Sequence, residues 1–240
     1  MFCCRSKRSA TGHPPLPIAA EQTGRRPIVC YVTDRESLAT GDRAADVLAH
    51  VRTSIRAGVD WVQIRERDLP ARDLLALTRR ALGEAATANV AIIINDRVDV
   101  ALAAEAAGVH LGSESLPARE VLRWCRSGNA PLNWLVGVSC HSLEQAREAE
   151  NAGASYVFFG PVFDTPSKRS FGPPQGIVKL AEVCRTVAVR VIAIGGINEG
   201  NGEECLGAGA AGVAAIRLFQ QPSATAELKR TIDDLHAHRL

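Results

Sequence analysis

Trp61-Val62-Gln63-Ile64-Arg65 and Val90-Ala91-Ile92-Ile93-Ile94-Asn95 flank an Ala- and Leu-rich segment of helical length at 71–88, and this strand–helix–strand unit decides the fold. Short Val- and Ile-rich runs alternating with such helices are the rhythm of βα repeats around a parallel sheet. Working outward, strands are expected at 28–33, 61–65, 90–95, 108–112, 134–139, 156–160, 189–195 and 212–217. Helices are expected near 44–57, 71–88, 97–106, 116–126, 142–152, 175–187, 200–208 and 222–236. Eight of each fit one α/β domain over residues 27–240, a closed (βα)8 TIM barrel. A doubly wound open sheet is the alternative, but no G-x-G-x-x-G follows the first strand, where the turn reads Tyr31-Val32-Thr33-Asp34-Arg35.

Local signals place the joints. Asp96, Ser142 and Asn198 or Glu199 are expected at helix starts, and Gly58, Gly108 and Gly153 where a helix must stop before the next strand. The first 26 residues are basic, with Arg5, Lys7, Arg8, Arg25 and Arg26, and are expected to form a disordered extension. The 240 residues are 46% hydrophobic and 22% charged, enough for one sizeable core. A net charge of +2 without a long basic run argues against nucleic acid as a partner. No apolar run approaches the roughly 20 residues that span a bilayer. The seven cysteines lack metal-ligand spacing and read as reduced thiols, so the expectation is a cytoplasmic protein that does not engage membranes.

In such a barrel the reactive surface lies at the carboxyl ends of the strands. A side-chain period of two puts Gln63, Arg65 and Arg67 on one face and Val62, Ile64 and Glu66 on the other. Arginine forks at the end of a core strand suit phosphate oxygens, and an internal ion pair is the competing explanation. Asn95-Asp96 ends the third strand, where the carboxylate suits Mg²⁺ shared with substrate phosphates, or a helix cap. Ser139 closes the fifth strand as a ligand contact. His110 reads as a satisfied histidine rather than a metal ligand. Cys140 and His141 are neighbours on an extended strand and point apart, against a thiolate–imidazole dyad. Gly160-Pro161-Val162-Phe163-Asp164-Thr165-Pro166-Ser167-Lys168-Arg169 has the make-up of a lid or of a solvated loop. Gly195-Gly196 and Ile216-Arg217 stand where such barrels complete a phosphate cup.

Taken in order, Tyr31-Val32-Thr33-Asp34, Val62 to Arg67, Ile94-Asn95-Asp96-Arg97-Val98-Asp99, Gly108-Val109-His110-Leu111-Gly112, Gly137-Val138-Ser139, Gly160 to Lys168 and Ile194-Gly195-Gly196-Ile197 closely resemble the thiamine phosphate synthase family, which includes the thiazole tautomerase TenI. The resemblance covers roughly residues 28–220. It implies a barrel that joins hydroxymethylpyrimidine diphosphate to a carboxylated thiazole phosphate, releasing pyrophosphate and CO2. Carried over by position, Gln63, Arg65, Arg67 and Asn95 would meet the pyrimidine diphosphate, Ile64 and Glu66 would also bind substrate, and Asp96 would hold Mg²⁺. Ser139 and Lys168 would contact the departing pyrophosphate, and Thr165 and Ser167 the thiazole. The thiazole phosphate would rest on Gly195, Gly196 and the backbone at Ile216 and Arg217. Partners would be small phosphorylated molecules, with a homo-oligomer left open.

Some positions depart from that family. The synthases carry Gly-Gln-x-Asp after the fourth strand, the Asp as second metal ligand, and here Gly112-Ser113-Glu114-Ser115 puts Ser115 in its place. Arg67 replaces Lys, and Arg217 replaces a small Ser, where it either grips a phosphate or obstructs it. The tautomerase carries its catalytic His where this chain has Pro161. The synthase is therefore the expected activity, with a tautomerase or a non-catalytic binder of thiamine precursors as alternatives.

Overall fold

The computed structural model describes residues 26–38, 43–165, 173–221 and 225–238. The extension expected at 1–26 falls outside these residues, apart from residue 26. Alternation along each strand sends side chains into two separate cores. Cys30, Val32, Trp61, Ile93, Tyr156 and Phe158 fill the inside, while Val29, Val62, Ile64, Ile92 and Val109 pack outward against helices. The strands are β1 (Ile28–Val32), β2 (Trp61–Ile64), β3 (Ala91–Asn95), β4 (Gly108–Leu111), β5 (Leu135–Cys140), β6 (Tyr156–Phe159), β7 (Arg190–Ile194) and β8 (Gly212–Ala215). All pair in parallel and in chain order, and β1 meets β8 through Ile28 and Gly212 to close the barrel.

The helices are α1 (Arg43–Ala57), α2 (Ala71–Ala85), α3 (Val98–Ala103), α4 (Ala118–Trp124), α5 (Leu143–Ala152), α6 (Gly176–Thr186), α7 (Gly202–Gly207), α8 (Arg217–Gln220) and α9 (Thr225–Ala237). In α2, Leu74, Leu77, Thr78, Ala81 and Ala85 are buried, the i, i+3, i+4, i+7 stripe of a helix laid on a sheet. Ser142 caps α5 as expected by accepting from the Gln145 N–H at 3.2 Å, and the Gln145 side chain reaches back to the His141 N–H at 2.6 Å. At the opposite end, Asp60 accepts from the Val29 N–H at 2.8 Å and meets His236 Nε2 at 2.9 Å, pinning α9 beneath the barrel. No helix among the described residues is long and apolar enough to cross a membrane.

Four expectations change. Asp96 does not cap α3, whose cap position is Arg97, because Asp96 adopts φ 65° and its side chain takes no helix N–H. Gly108 is the first residue of β4 rather than a helix stop. A Cβ there would lie 2.2 Å from the Leu135 carbonyl oxygen, so its role is close approach of two strands. Asn201, not Asn198 or Glu199, occupies the cap position of α7. The eighth strand ends at Ala215, and Arg217 instead opens the short helix α8.

Candidate active site

Inward-facing residues at the strand ends form a polar run across β2 to β5. Register sets Asn95 beside His110 and His110 beside Gly137, one strand from Ser139. Gln63 Nε2 donates to Asn95 Oδ1 at 2.9 Å, and His110 Nε2 lies 2.9 Å from Ser139 Oγ. His110 Nδ1 lies 3.1 Å from the Tyr156 hydroxyl, a contact not foreseen from the sequence. The one available signal was that Tyr156 begins an apolar strand at an inward position. Burial, with Arg65 adding to it, pushes the His110 pKa down to about 3, so the ring is neutral. Gln63 is 2% exposed, yet its Oε1 has no hydrogen-bond partner among the described residues. A buried acceptor left unpaired is one that a donor from water or a ligand can satisfy.

Arg65 is the next inward residue after Gln63. Its N–H donates to Thr33 Oγ1 at 3.0 Å, while its half-buried guanidinium makes no hydrogen bond or ion pair with the described residues. Burial first, and then the nearby Arg67, lower its pKa, with Asp34 and Glu66 opposing them. A desolvated cation beside a second cation is the charge arrangement that suits an anion, and none of the described residues forms an ion pair with it. Arg67 is exposed at the rim.

Ile64 and Glu66 point their side chains away from Gln63 and Arg65. The Ile64 side chain is fully buried in the outer core, so only its backbone faces the mouth. The Glu66 carboxylate accepts from Thr33 Oγ1 and from the Arg35 N–H at 3.0 Å, and lies 3.7 Å from Arg35 Nε. Burial raises its pKa, against the opposing hydrogen bonds of Thr33 and Arg35. Glu66 ties the ends of β1 and β2 together.

The Asp96 carboxylate is exposed and accepts no hydrogen bond among the described residues, leaving it available to a cation. Asp99 is held by both arms of Arg97 at 2.9 and 2.5 Å. Ser115 Oγ closes a turn by accepting from the Gly112 N–H at 2.8 Å, so it does not replace the missing carboxylate. Among the described residues no three His, Cys, Asp or Glu side chains converge. One free carboxylate is not a preformed cation cage, and a divalent ion there would need its other oxygens from elsewhere.

The other side of the mouth, from β6 to β8, is built from backbone. The Val162 and Phe163 N–H groups donate to the Ile194 and Gly195 carbonyls at 2.9 and 3.0 Å. Gly195 and Gly196 have φ 95° and 70°, and a Cβ on either would fall 2.5 Å from Pro161 Cα or 2.7 Å from the Asp164 oxygen. The glycine pair is therefore required first by the loop leaving β6. Thr165, buried at the root of that loop, accepts a hydrogen bond from the Arg217 guanidinium. Ile216 packs partly into the inner core beside it. Ser167 and Lys168 lie outside the described residues. Cys140 and His141 form no dyad: burial pushes the Cys140 thiol up to about 12, and His141 Nδ1 contacts the Gly160 carbonyl.

A sequence model described as thiamine monophosphate synthase matches residues 29–219. A thiamine-phosphate synthase of Roseiflexus sp. (strain RS-1) is 45% identical over 189 residues, covering 79% of this chain and 76% of the relative. One from Methanocella arvoryzae is 37% identical over 211 residues, covering 88% and 96%. Among solved structures, a thiamine phosphate pyrophosphorylase from Pyrococcus furiosus is 30% identical, with a TM-score of 0.74 over 87% of this chain and 96% of that one. A 3-hexulose-6-phosphate synthase at 14% identity and TM-score 0.66 shares the barrel alone. The family match runs from β1 into α8, so every strand end described above falls within it, and the chain belongs to the thiamine monophosphate synthase family.

Proposed function

We propose that the protein couples hydroxymethylpyrimidine diphosphate to a carboxylated thiazole phosphate, giving thiamine phosphate, pyrophosphate and CO2. The observation that carries this reading is the half-buried Arg65 guanidinium, without an acceptor among the described residues, beside the orphaned Gln63 Oε1 in a mouth that also presents Asn95 and Ser139. Diphosphate leaves a benzylic-like carbon, and the thiazole nitrogen captures the resulting cation. No protein nucleophile is needed, and the Cys140 thiol is buried with its pKa raised.

The chain's work is positioning and charge stabilisation. Gln63 and Asn95 orient the pyrimidine, Arg65 and Arg67 draw negative charge off the diphosphate, and Ser139 donates to a departing oxygen. By the family resemblance Lys168 would also contact the pyrophosphate, and Thr165 and Ser167 the thiazole, whose phosphate would rest on Gly196 and on the backbone at Ile216 and Arg217. Asp96 would hold Mg²⁺ together with phosphate oxygens, and the ion supplies charge neutralisation on the diphosphate when bound. The five free cysteines among the described residues support a reducing compartment, the cytoplasm.

The test is a coupling assay with purified protein, Mg²⁺ and both substrates. Thiamine phosphate and pyrophosphate in equal amounts are expected. Isomerisation of the thiazole carboxylate without the pyrimidine would establish a tautomerase instead, and binding of thiazole phosphate without either turnover a carrier.

A further inference from the structure

We propose that Tyr156 and His110 are positioning residues that lock the Ser139 hydroxyl as a hydrogen-bond donor aimed into the mouth of the barrel, toward an anionic oxygen. This rests on the reading above that Ser139 meets the leaving pyrophosphate. The argument is one of proton counting along a buried chain: Tyr156 hydroxyl to His110 Nδ1 at 3.1 Å, then His110 Nε2 to Ser139 Oγ at 2.9 Å.

A neutral imidazole has one N–H and one lone pair, so the chain has two polarities. In the first, Nδ1–H donates to the Tyr156 oxygen and Ser139 donates to Nε2. The Tyr156 hydroxyl proton then has nowhere to go, because the residue is fully buried and its hydroxyl makes no other hydrogen bond among the described residues. A buried donor without an acceptor disfavours that arrangement by roughly tenfold or more. In the second, Tyr156 donates to Nδ1, and Nε2–H donates to Ser139 Oγ. Every buried group is then paired, and the one proton left over belongs to Ser139, at the half-buried mouth end of the chain.

The surroundings hold this geometry in place. A Cβ at residue 137 would lie 2.1 Å from Tyr156 Cζ and 2.4 Å from its hydroxyl, so glycine in β5 is what admits the phenol to His110. Trp61 packs on the Tyr156 ring at 4.8 Å, and Phe158 packs on His110 at 4.3 Å. A donor fixed before reaction needs no reorganisation when charge builds on the leaving oxygen.

Long-range ¹H–¹⁵N spectra of the substrate-free protein labelled in histidine test the claim directly. His110 is expected as the Nε2–H tautomer, and Tyr156→Phe is expected to abolish that preference. The Nδ1–H tautomer or an imidazolium would overturn the proposal whatever the activity. In kinetics, Tyr156→Phe is expected to lower kcat roughly tenfold with KM for the thiazole partner unchanged. Because both residues act through one hydroxyl, adding Tyr156→Phe to Ser139→Ala should cost nothing further, and additive losses overturn the chain. His110→Gln, which keeps an N–H donor, should retain more activity than His110→Leu. If the coupling activity itself proves absent, calorimetry with inorganic pyrophosphate and Mg²⁺ decides: Ser139→Ala and Tyr156→Phe should weaken binding alike, and unchanged affinity in both would overturn the proposal.

Discussion

The two sides of the barrel mouth are made of different material. From β2 to β5 it is lined by side chains that meet one another sparingly, Gln63 with Asn95 and His110 with Ser139, and leave Arg65 without an acceptor among the described residues. From β6 to β8 it is backbone packed on backbone, with Gly160, Gly195 and Gly196 pressed against Ile194, Pro161 and Asp164. The first side has capacity to spare for a ligand, whereas the second has almost none to spare for a mutation. Substitutions should therefore separate into losses of activity on one side and losses of stability on the other.

The sharpest break of that division would come from Arg65. Arg65→Ala is expected to reduce the coupling rate by about 10²- to 10³-fold with the urea midpoint little changed, since the guanidinium makes no hydrogen bond or ion pair with the described residues. Arg65→Lys should recover only part of the rate, because an ammonium cannot fork onto two oxygens. A matching fall in midpoint would make β2 a structural element as well. On the opposite side, Gly195→Ala should destabilise by about 3 kcal/mol in urea unfolding, from positive φ and a Cβ 2.5 Å from Pro161 Cα. Retained stability there would show that the β6 loop yields.

The polar side should also set the acid limit of the fold. His110 has a folded pKa near 3 against an ordinary 6.5, so the unfolded chain takes a proton that the folded ring refuses. Its contribution is complete above about 6.5 and is lost as pH falls toward 3, at no more than about 1.4 kcal/mol per pH unit. Unfolding midpoints across that window should fall less steeply in His110→Gln. The smallest effect is expected at Arg217, which bridges to Thr165 while largely exposed. Arg217→Ser should raise KM for the thiazole partner by less than tenfold and leave stability near wild type. A lower KM would mean that the guanidinium obstructs the phosphate rather than attracting it.

Much of this was legible along the chain because it depends on neighbours in sequence. The period of two in Val62 to Arg67 already separates Arg65 from Glu66, and the apolar run ending in Asn95 already marks a strand that delivers a polar group to one rim. Eight such runs specify a barrel, and with it the rim on which chemistry collects. What each group meets there is a different matter. Glu66 finds Thr33 and Arg35 across the pairing of β1 with β2, the glycine pair finds the β6 loop, and His110 finds Tyr156 46 residues away. Those meetings follow from the register of closed strands and from volumes such as the one left vacant at Gly137. Periodicity constrains the direction of a side chain, whereas its partner is chosen by packing between segments far apart in the chain, so direction could be read from the residues and partnership only from the folded barrel.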